Sequence, residues 1–268
     1  MRNIKKISAL LSILLFSFPL KSQATSVFKD LALAFPYEGK IRDWRLTIWE
    51  SGEQPTIDTK KITSIVCEDA KSFPVKRVVV VKGREKCNKK STEAICAGNG
   101  ETFEFQQLDE KVGTCFLVTK EFIDTFDLLR LEPAQNLTCP QDLVAAISKD
   151  KKRKVANCEI SRSISAGVFG FAVFEEKPKD KLATMFFSNA KDRVYYDHAT
   201  TEDWRVGGGG KFDTTGFSFH WALKNKKTGD VGLAYTWSGG EGDNVYLNTQ
   251  EGQNFVNRFH EYIYYESN

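Results

Sequence analysis

The chain has 268 residues, of which 41% are hydrophobic and 27% are charged, a composition typical of a folded globular protein rather than a disordered one. Its formal net charge is +3, but the first 24 residues carry four cations and no acid, so the rest of the chain has a net charge of −1. A globally basic nucleic-acid binder is therefore disfavoured, because such proteins gain much of their affinity by neutralising phosphates.

The first 24 residues have the three-part pattern of a secretory signal. Three cations, Arg2, Lys5 and Lys6, precede an apolar stretch at residues 7–20, and small residues lead to a cleavage site after Ala24. The apolar stretch is shorter than the roughly 20 residues that a membrane-spanning helix needs. We therefore expect a secreted or periplasmic protein with no integral membrane segment after signal removal; an uncleaved anchor is the alternative.

The first elements after the signal are a predicted helix and several strands. Residues 26–35 have helical spacing, with Ser26 as the cap and Pro36 as the end. Alternating or β-branched runs then predict strands at "RDWRLTIWES", "KITSIVCE", "VKRVVVVKG", "ETFEFQQL" and "GTCFLVTK". The last two of these strands are expected to pair with each other.

Two more helices are predicted before the sequence changes character. Residues 120–133 repeat apolar groups at helical spacing up to Pro133. The segment from Cys139 to Lys154 has Pro140 in its first turn and lysines at its end, which suits the helix dipole. With these elements the N-terminal region is predicted to be α+β, with two or three short helices.

The cysteines divide the mature chain into two regions. All six lie after the signal and before residue 159: Cys67, Cys87, Cys96, Cys115, Cys139 and Cys158. An even number in an exported chain predicts three disulfides, with the pairing left open among fifteen possibilities. Zinc-binding spacings such as CxxC are absent from the sequence, so no metal or cofactor is expected. We predict a disulfide-containing region at 25–158 and a cysteine-free region at 159–268.

The second region consists mainly of short strands separated by turns. Residues 217–223 and 231–237 alternate apolar and polar side chains around a turn that contains Gly229, which predicts a β-hairpin. The whole region is predicted to be an antiparallel β-sheet, closed as a sandwich or a small barrel. Residues 254–266 fit a helix and a strand equally well. The fold class of the chain is therefore predicted to be mainly β.

Two groups of charged or titratable residues are candidates for chemistry. The basic stretch at 71–90 is a candidate anion-binding site through Lys82, Arg84, Lys86, Lys89 and Lys90, and its alternative is a solvated hairpin. Asp197 and His198 lie among further acids, and alternation would allow His220 to approach His198. These three residues define a hydrolase hypothesis, with or without a metal; the alternative is a solvated loop.

Aromatic and glycine residues of the second region form the candidate ligand-binding site. Its members are Trp204, Gly207, Gly208, Gly209, Gly210, Tyr235 and Trp237. The glycine run is not a phosphate cradle, because a further strand pattern follows it instead of a helix. The alternative for the aromatic residues is that they form the core of the sheet.

Because no catalytic motif such as GxSxG, SxxK or HExxH is present, the sequence favours a binding or interaction protein over an enzyme. The partners considered are a glycan or other envelope component, an anionic polymer and another protein.

The signal pattern predicts that the exported protein begins at Thr25. N-terminal sequencing of the protein recovered from the medium or the periplasm should therefore start with Thr25-Ser26-Val27. An exported protein that still carries Met1 would show instead that the segment is an uncleaved anchor.

Overall fold

A computed structural model describes residues 27–36, 45–48, 58–81, 100–105, 114–134, 138–200, 212–239 and 242–264. The described chain is mostly β-strand, as predicted, with two short α-helices, α1 at Lys120–Thr125 and α2 at Gln141–Lys151. Single 3₁₀ turns occur at Thr59–Lys61 and Glu68–Ala70. None of the helices in these ranges is long and apolar enough to cross a membrane.

The first six strands form a closed barrel in the order β1-β2-β5-β4-β3-β6, with every neighbouring pair antiparallel. Their bounds are β1 Ala32–Pro36, β2 Arg45–Ile48, β3 Ile62–Val66, β4 Ser72–Val81, β5 Gly100–Phe105 and β6 Cys115–Thr119. All five residues of β6 are buried. A strand that is covered on both faces takes such a continuous apolar run instead of an alternating one.

The other ten strands form one curled sheet in the order β7-β13-β14-β15-β16-β12-β11-β10-β9-β8. Their bounds are β7 Phe126–Leu129, β8 Glu132–Pro133, β9 Val155–Ile164, β10 Gly167–Phe174, β11 Lys181–Ser188, β12 Arg193–Thr200, β13 Phe217–Asn225, β14 Val231–Ser238, β15 Gly242–Glu251 and β16 Asn254–Tyr264. The two outer strands, β7 and β8, are separated in sequence only by Arg130 and Leu131, so the sheet must curl back towards its own beginning. All its pairs are antiparallel except the pair of β12 with β16.

Side chains from distant strands meet inside the curl and define its inner face. The Phe171 ring of β10 lies 4.7 Å from the Phe217 ring and 5.6 Å from the Phe219 ring, both of β13. The same interior cluster contains Leu233 and Tyr235 of β14. A second cluster joins the outer face of β13–β15 to the barrel, and a third lies under α2.

The predicted hairpin at 217–237 is confirmed as β13 and β14. Gly229 has a φ of 80° in the turn, a conformation that residues with a Cβ rarely adopt. A bulge between Phe219 and Trp221 changes the alternation, so Phe219 points to the inner face and Trp221 points towards the barrel. This strand therefore contributes to two cores.

The helix predicted at 26–35 is wrong. Residues 27–30 form a turn, and Ala32–Pro36 form β1. Leu33 pairs with Phe116 of β6, and Phe35 pairs with Thr47 of β2. Pairing on both sides within a barrel overrides the local helical spacing.

The helix predicted up to Pro133 is too long, since α1 ends at Thr125. Thr119 caps its first turn by accepting a hydrogen bond from the Phe122 N–H at 3.2 Å. Phe126 is already extended (φ −120°, ψ 141°) and pairs with Asn225 of β13. The third predicted helix is confirmed as α2, which ends at a left-handed Lys152.

Two other predictions meet different outcomes. Residues 254–264, for which helix and strand were equally possible, form the strand β16. The expected pairing of "ETFEFQQL" with "GTCFLVTK" is wrong, because β5 pairs with β2 and β4, whereas β6 pairs with β1 and β3. The barrel closes through pairings between strands that are distant in the sequence, and a local sequence pattern does not predict such pairings.

The described residues contain two disulfides, Cys67–Cys115 and Cys139–Cys158. The first joins the end of β3 to β6, and the second joins the start of α2 to β9. Cys87 and Cys96 lie outside the described residues. Cys158 lies within β9, so the ten-stranded sheet continues across the boundary that was predicted after this residue.

Removal of the Cys139–Cys158 bond should cost about 3 kcal/mol of unfolding free energy, because the bond closes a loop of 19 residues. The double variant Cys139→Ala, Cys158→Ala is compared with the wild type in guanidinium unfolding experiments. Non-reducing peptide mapping of the wild type should recover the Cys67–Cys115 and Cys139–Cys158 pairs. A loss below about 1 kcal/mol would contradict a stabilising role for this bond.

Candidate functional site

The wall of the curled sheet is joined at one place by a single short contact. Tyr195 of β12 pairs with Asn254 of β16, and its N–H donates to the Gln253 carbonyl at 3.0 Å. Beyond this contact β12 continues along β11 as far as Thr200, and β16 continues along β15 as far as Tyr264. In the described residues no further ladder pair joins β12 to β16, and we interpret the region between the two strands beyond this contact as an opening in the wall.

The exposure of neighbouring inner-face residues locates this opening. Asn248 of β15 is fully buried, whereas Asn257, its partner on β16, is exposed. His260 and Tyr262, further along the same face of β16, are also exposed, Tyr262 at 40%. Residues on the inner face of a closed wall would be covered, so the exposed row on β16 follows the edge of the opening.

Behind this edge lies a stack of aromatic rings. The Tyr235 and Tyr246 rings are stacked with their centroids 5.0 Å apart, and the His260 ring stacks on Tyr246 at 4.6 Å. His260 Nε2 lies 3.0 Å from Asn244 Oδ1, where it donates if it carries the proton. These contacts hold the imidazole nearly parallel to the Tyr246 ring, at an interplanar angle of 12°.

One amide behind the opening is only half satisfied. Asn248 Nδ2 donates to the Tyr235 hydroxyl at 3.2 Å, but Asn248 Oδ1 is buried and accepts no hydrogen bond within the described residues. A buried acceptor left without a donor costs about 1–3 kcal/mol. A ligand or an ordered water that donates to this oxygen would remove that cost.

His198 faces the same interior from β12. Its ring lies 5.0 Å from the Tyr196 ring, 5.5 Å from the Phe212 ring and 5.7 Å from the Phe217 ring. Its Nε2 is buried without a hydrogen-bond partner in the part of the chain that the structure describes. Burial lowers the pKa of His198 to about 4, so the ring is neutral at pH 7.

The described strand positions around the opening carry hydrogen-bonding groups without formal charge. On β12, β15 and β16 the described inner-face positions carry no carboxylate, ammonium or guanidinium group. Burial also raises the pKa of Tyr196 and Tyr246, which keeps both phenols protonated. On the neighbouring strand β11, Lys181 is paired with Glu176 at 3.6 Å.

The structure separates the three residues of the hydrolase hypothesis. Asp197 points to the outer face, where it binds Lys151 Nζ at 2.7 Å. His220 is buried against the barrel, with Nε2 2.7 Å from Thr236 Oγ1 and Nδ1 3.5 Å from Glu68 Oε1. The His198 ring lies instead among the Tyr196, Phe212 and Phe217 rings on the inner face. It belongs to a strand and not to a solvated loop.

The predicted ligand-binding residues are found in different places. Tyr235 is fully buried within the aromatic stack, and Trp237 is half-buried at the same end of the sheet, with its ring 6.4 Å from Phe217. The remaining members lie outside the described residues: Trp204, Gly207, Gly208, Gly209 and Gly210. The predicted anion-binding residues, Lys82, Arg84, Lys86, Lys89 and Lys90, lie outside them as well.

The sequence analysis missed the amides on β15 and β16. Asn244, Tyr246 and Asn248 alternate with Val245 and Leu247, which already predicts that the polar groups share one face. Such a polar row is usually assigned to solvent. Its burial depends on the curl of the sheet, which the local pattern does not reveal.

Comparison with known protein families, curated proteins and solved structures finds no match to this chain. Among the described residues, no group of His, Cys, Asp and Glu side chains is arranged to hold a metal ion. The site is therefore interpreted from its own geometry and chemistry.

The lowered pKa of His198 makes stability depend on pH. The unfolded chain, with a pKa near 6.5, takes up the proton before the folded chain does, so stability is lost as the pH falls from about 6.5 to about 4. Between pH 7 and pH 5 this histidine should account for a loss of about 2 kcal/mol. The unfolding free energy should therefore fall less between pH 7 and pH 5 in His198→Phe than in the wild type, by about 2 kcal/mol. Denaturant unfolding at the two pH values measures both differences.

The matched control is His260→Phe, since the His260 ring is exposed. In this variant the unfolding free energy should still fall between pH 7 and pH 5 by nearly as much as in the wild type. An unchanged pH dependence in His198→Phe would show that the buried ring titrates normally.

Proposed function

We propose that the chain is an exported binding protein that holds a small ligand at the opening between β12 and β16. The observation that carries this proposal is the pairing of a fully buried, half-satisfied Asn248 with an exposed Asn257 on the same face. Proteins satisfy nearly all buried polar groups, so an acceptor left open beside an accessible edge is typical of a ligand site.

The aromatic groups at this end support the same proposal. Phe217 and Trp237 of the hairpin, Tyr246 of β15 and Tyr262 of β16 are all partly exposed. Aromatic groups combine a large apolar surface with few rotatable bonds, which favours them at binding sites. A cluster of them at one end of a sheet points to recognition more than to core packing alone.

A binding role is supported over hydrolysis by the surroundings of the three candidate catalytic residues. General base catalysis needs an imidazole within hydrogen-bond reach of a nucleophile or of an orienting carboxylate. His198 is enclosed by aromatic rings, and Asp197 and His220 face other parts of the molecule. These surroundings favour a binding role over the hydrolase hypothesis.

Export is supported by the signal pattern and by the disulfide bonds. Two disulfides are compatible with a secreted or periplasmic protein, because such bonds persist in oxidising compartments. In such a compartment the ligand would be an external or envelope component.

The proposal predicts where small molecules bind. In a ¹H–¹⁵N NMR screen with a fragment library that includes uncharged, acidic, basic and apolar compounds, the hits should shift the amides of residues 196–200 and 257–262. Asn257→Ala should weaken these hits, whereas Asn254→Ala, on the opposite face at the base of β16, should not. Hits that map only to the barrel, or no shift at the opening with any fragment, would contradict the proposal.

A further inference from the structure

The chemical class of the ligand follows from the groups that border the opening, if the proposed function holds. The described inner faces of β12, β15 and β16 present amides, imidazoles, phenols and apolar groups, and no formal charge. An ion that entered there would give up hydration without meeting an opposite charge on these described faces, which costs several kcal/mol. The chemistry of the opening therefore disfavours a charged ligand.

A purely apolar ligand is disfavoured by the same groups. It would leave Asn248 Oδ1 and His198 Nε2, which are buried without partners in the described chain, still unsatisfied. It would also cover the amide of Asn257 on the edge strand, which is exposed. The ligand must therefore bring hydrogen-bonding groups of its own.

The bordering side chains match hydroxyl groups in particular. An asparagine amide and a neutral imidazole each both donate and accept hydrogen bonds. A hydroxyl has the same dual character, so it can satisfy an amide or a neutral imidazole as donor or as acceptor. Asn248 Oδ1 needs a donor, which a hydroxyl supplies and an ether or a ketone does not.

The aromatic rings beside the opening suit the apolar face of a sugar ring. Tyr246 and His260 form a stacked pair beside the opening, and Tyr262 is exposed at 40% on the same face. The C–H face of a sugar ring is apolar and flat enough to pack against such rings, while its hydroxyls point outwards in the plane. Apolar faces combined with a few well-placed polar groups are typical of small-ligand sites.

We propose that the ligand is an uncharged sugar ring, free or within a glycan, that packs against the exposed His260 and Tyr262 rings of β16 and hydrogen-bonds Asn248, Asn257 and His198. This inference rests on the proposed function and names the substrate class of the same site. A bidentate amide contact would select neighbouring hydroxyls in a fixed orientation, so the site should distinguish sugar epimers.

The test uses full-length mature protein and probes of matched size. The protein is titrated with neutral sugars, namely glucose, galactose, mannose and N-acetylglucosamine and their neutral β- and α-linked oligomers. Galacturonate oligomers serve as the acidic probe and decanol serves as the apolar probe. ¹H–¹⁵N NMR spectra locate the binding site and calorimetry measures the affinity. At least one neutral sugar should saturably shift the amides of residues 196–200 and 257–262.

Variants distinguish a specific site from loose association. Asn257→Ala should weaken binding of the neutral sugar about fivefold, which corresponds to one neutral hydrogen bond. Asn254→Ala should leave the affinity unchanged. Since both side chains are exposed on the same strand, neither variant should disturb folding, which near-ultraviolet circular dichroism checks.

The remaining outcomes separate the two proposals. If galacturonate or decanol binds at the opening and no neutral sugar does, the ligand class is wrong and the proposed function stands. If neutral sugars bind only elsewhere, or bind equally well to Asn257→Ala, the sugar site is not at this opening and the inference falls. If neither these probes nor the fragment library shifts the amide resonances of residues 196–200 and 257–262, both proposals are wrong.

Discussion

The contact between the barrel and the outer face of the curled sheet is the interaction on which the rest of the structure depends. Trp221 is fully buried there, with its ring 5.3 Å from Phe116 of the barrel and 6.3 Å from Phe122 of α1. Because the barrel covers the outer face and the interior cluster covers the inner one, six consecutive residues of β14 are buried. Full burial of an aromatic side chain contributes about 2–3 kcal/mol, so this junction fixes the strands that carry the aromatic stack.

The same junction explains how an edge of the opening can be both exposed and well positioned. Phe259 and Ile263 of β16 pack against the shared core on the outer face. His260 and Tyr262, which lie between them in the sequence, face the opening. The alternation of a strand thus anchors one face and presents the other. Side chains held on such a rigid strand lose little freedom when a ligand binds, which favours affinity.

The sequence predicted the elements whose signals are local. The hairpin at 217–237 follows from alternation and from Gly229, and α2 follows from Pro140 and its lysine-rich end. The helix at 26–35 was wrong because pairing within a closed barrel overrides spacing. For the site, Tyr235 and Trp237 were named from composition, but Asn248 and Asn257 were missed. Their importance depends on the single contact at Tyr195 and Asn254, and a parallel contact between strands far apart in sequence leaves no local signal.

The closure of the sheet by two consecutive strands has a consequence for folding. β7 pairs with β13, and β8 pairs with β9, so one short segment must find partners on both sides of the finished sheet. Contacts between residues far apart in sequence form slowly, because the chain must first pay the entropy of closing a long loop. Until β13 arrives, β7 is an unpaired edge that can pair with another chain. The folding chain therefore passes through an open sheet, and the yield of folded protein should depend on how quickly the last hairpins complete the curl.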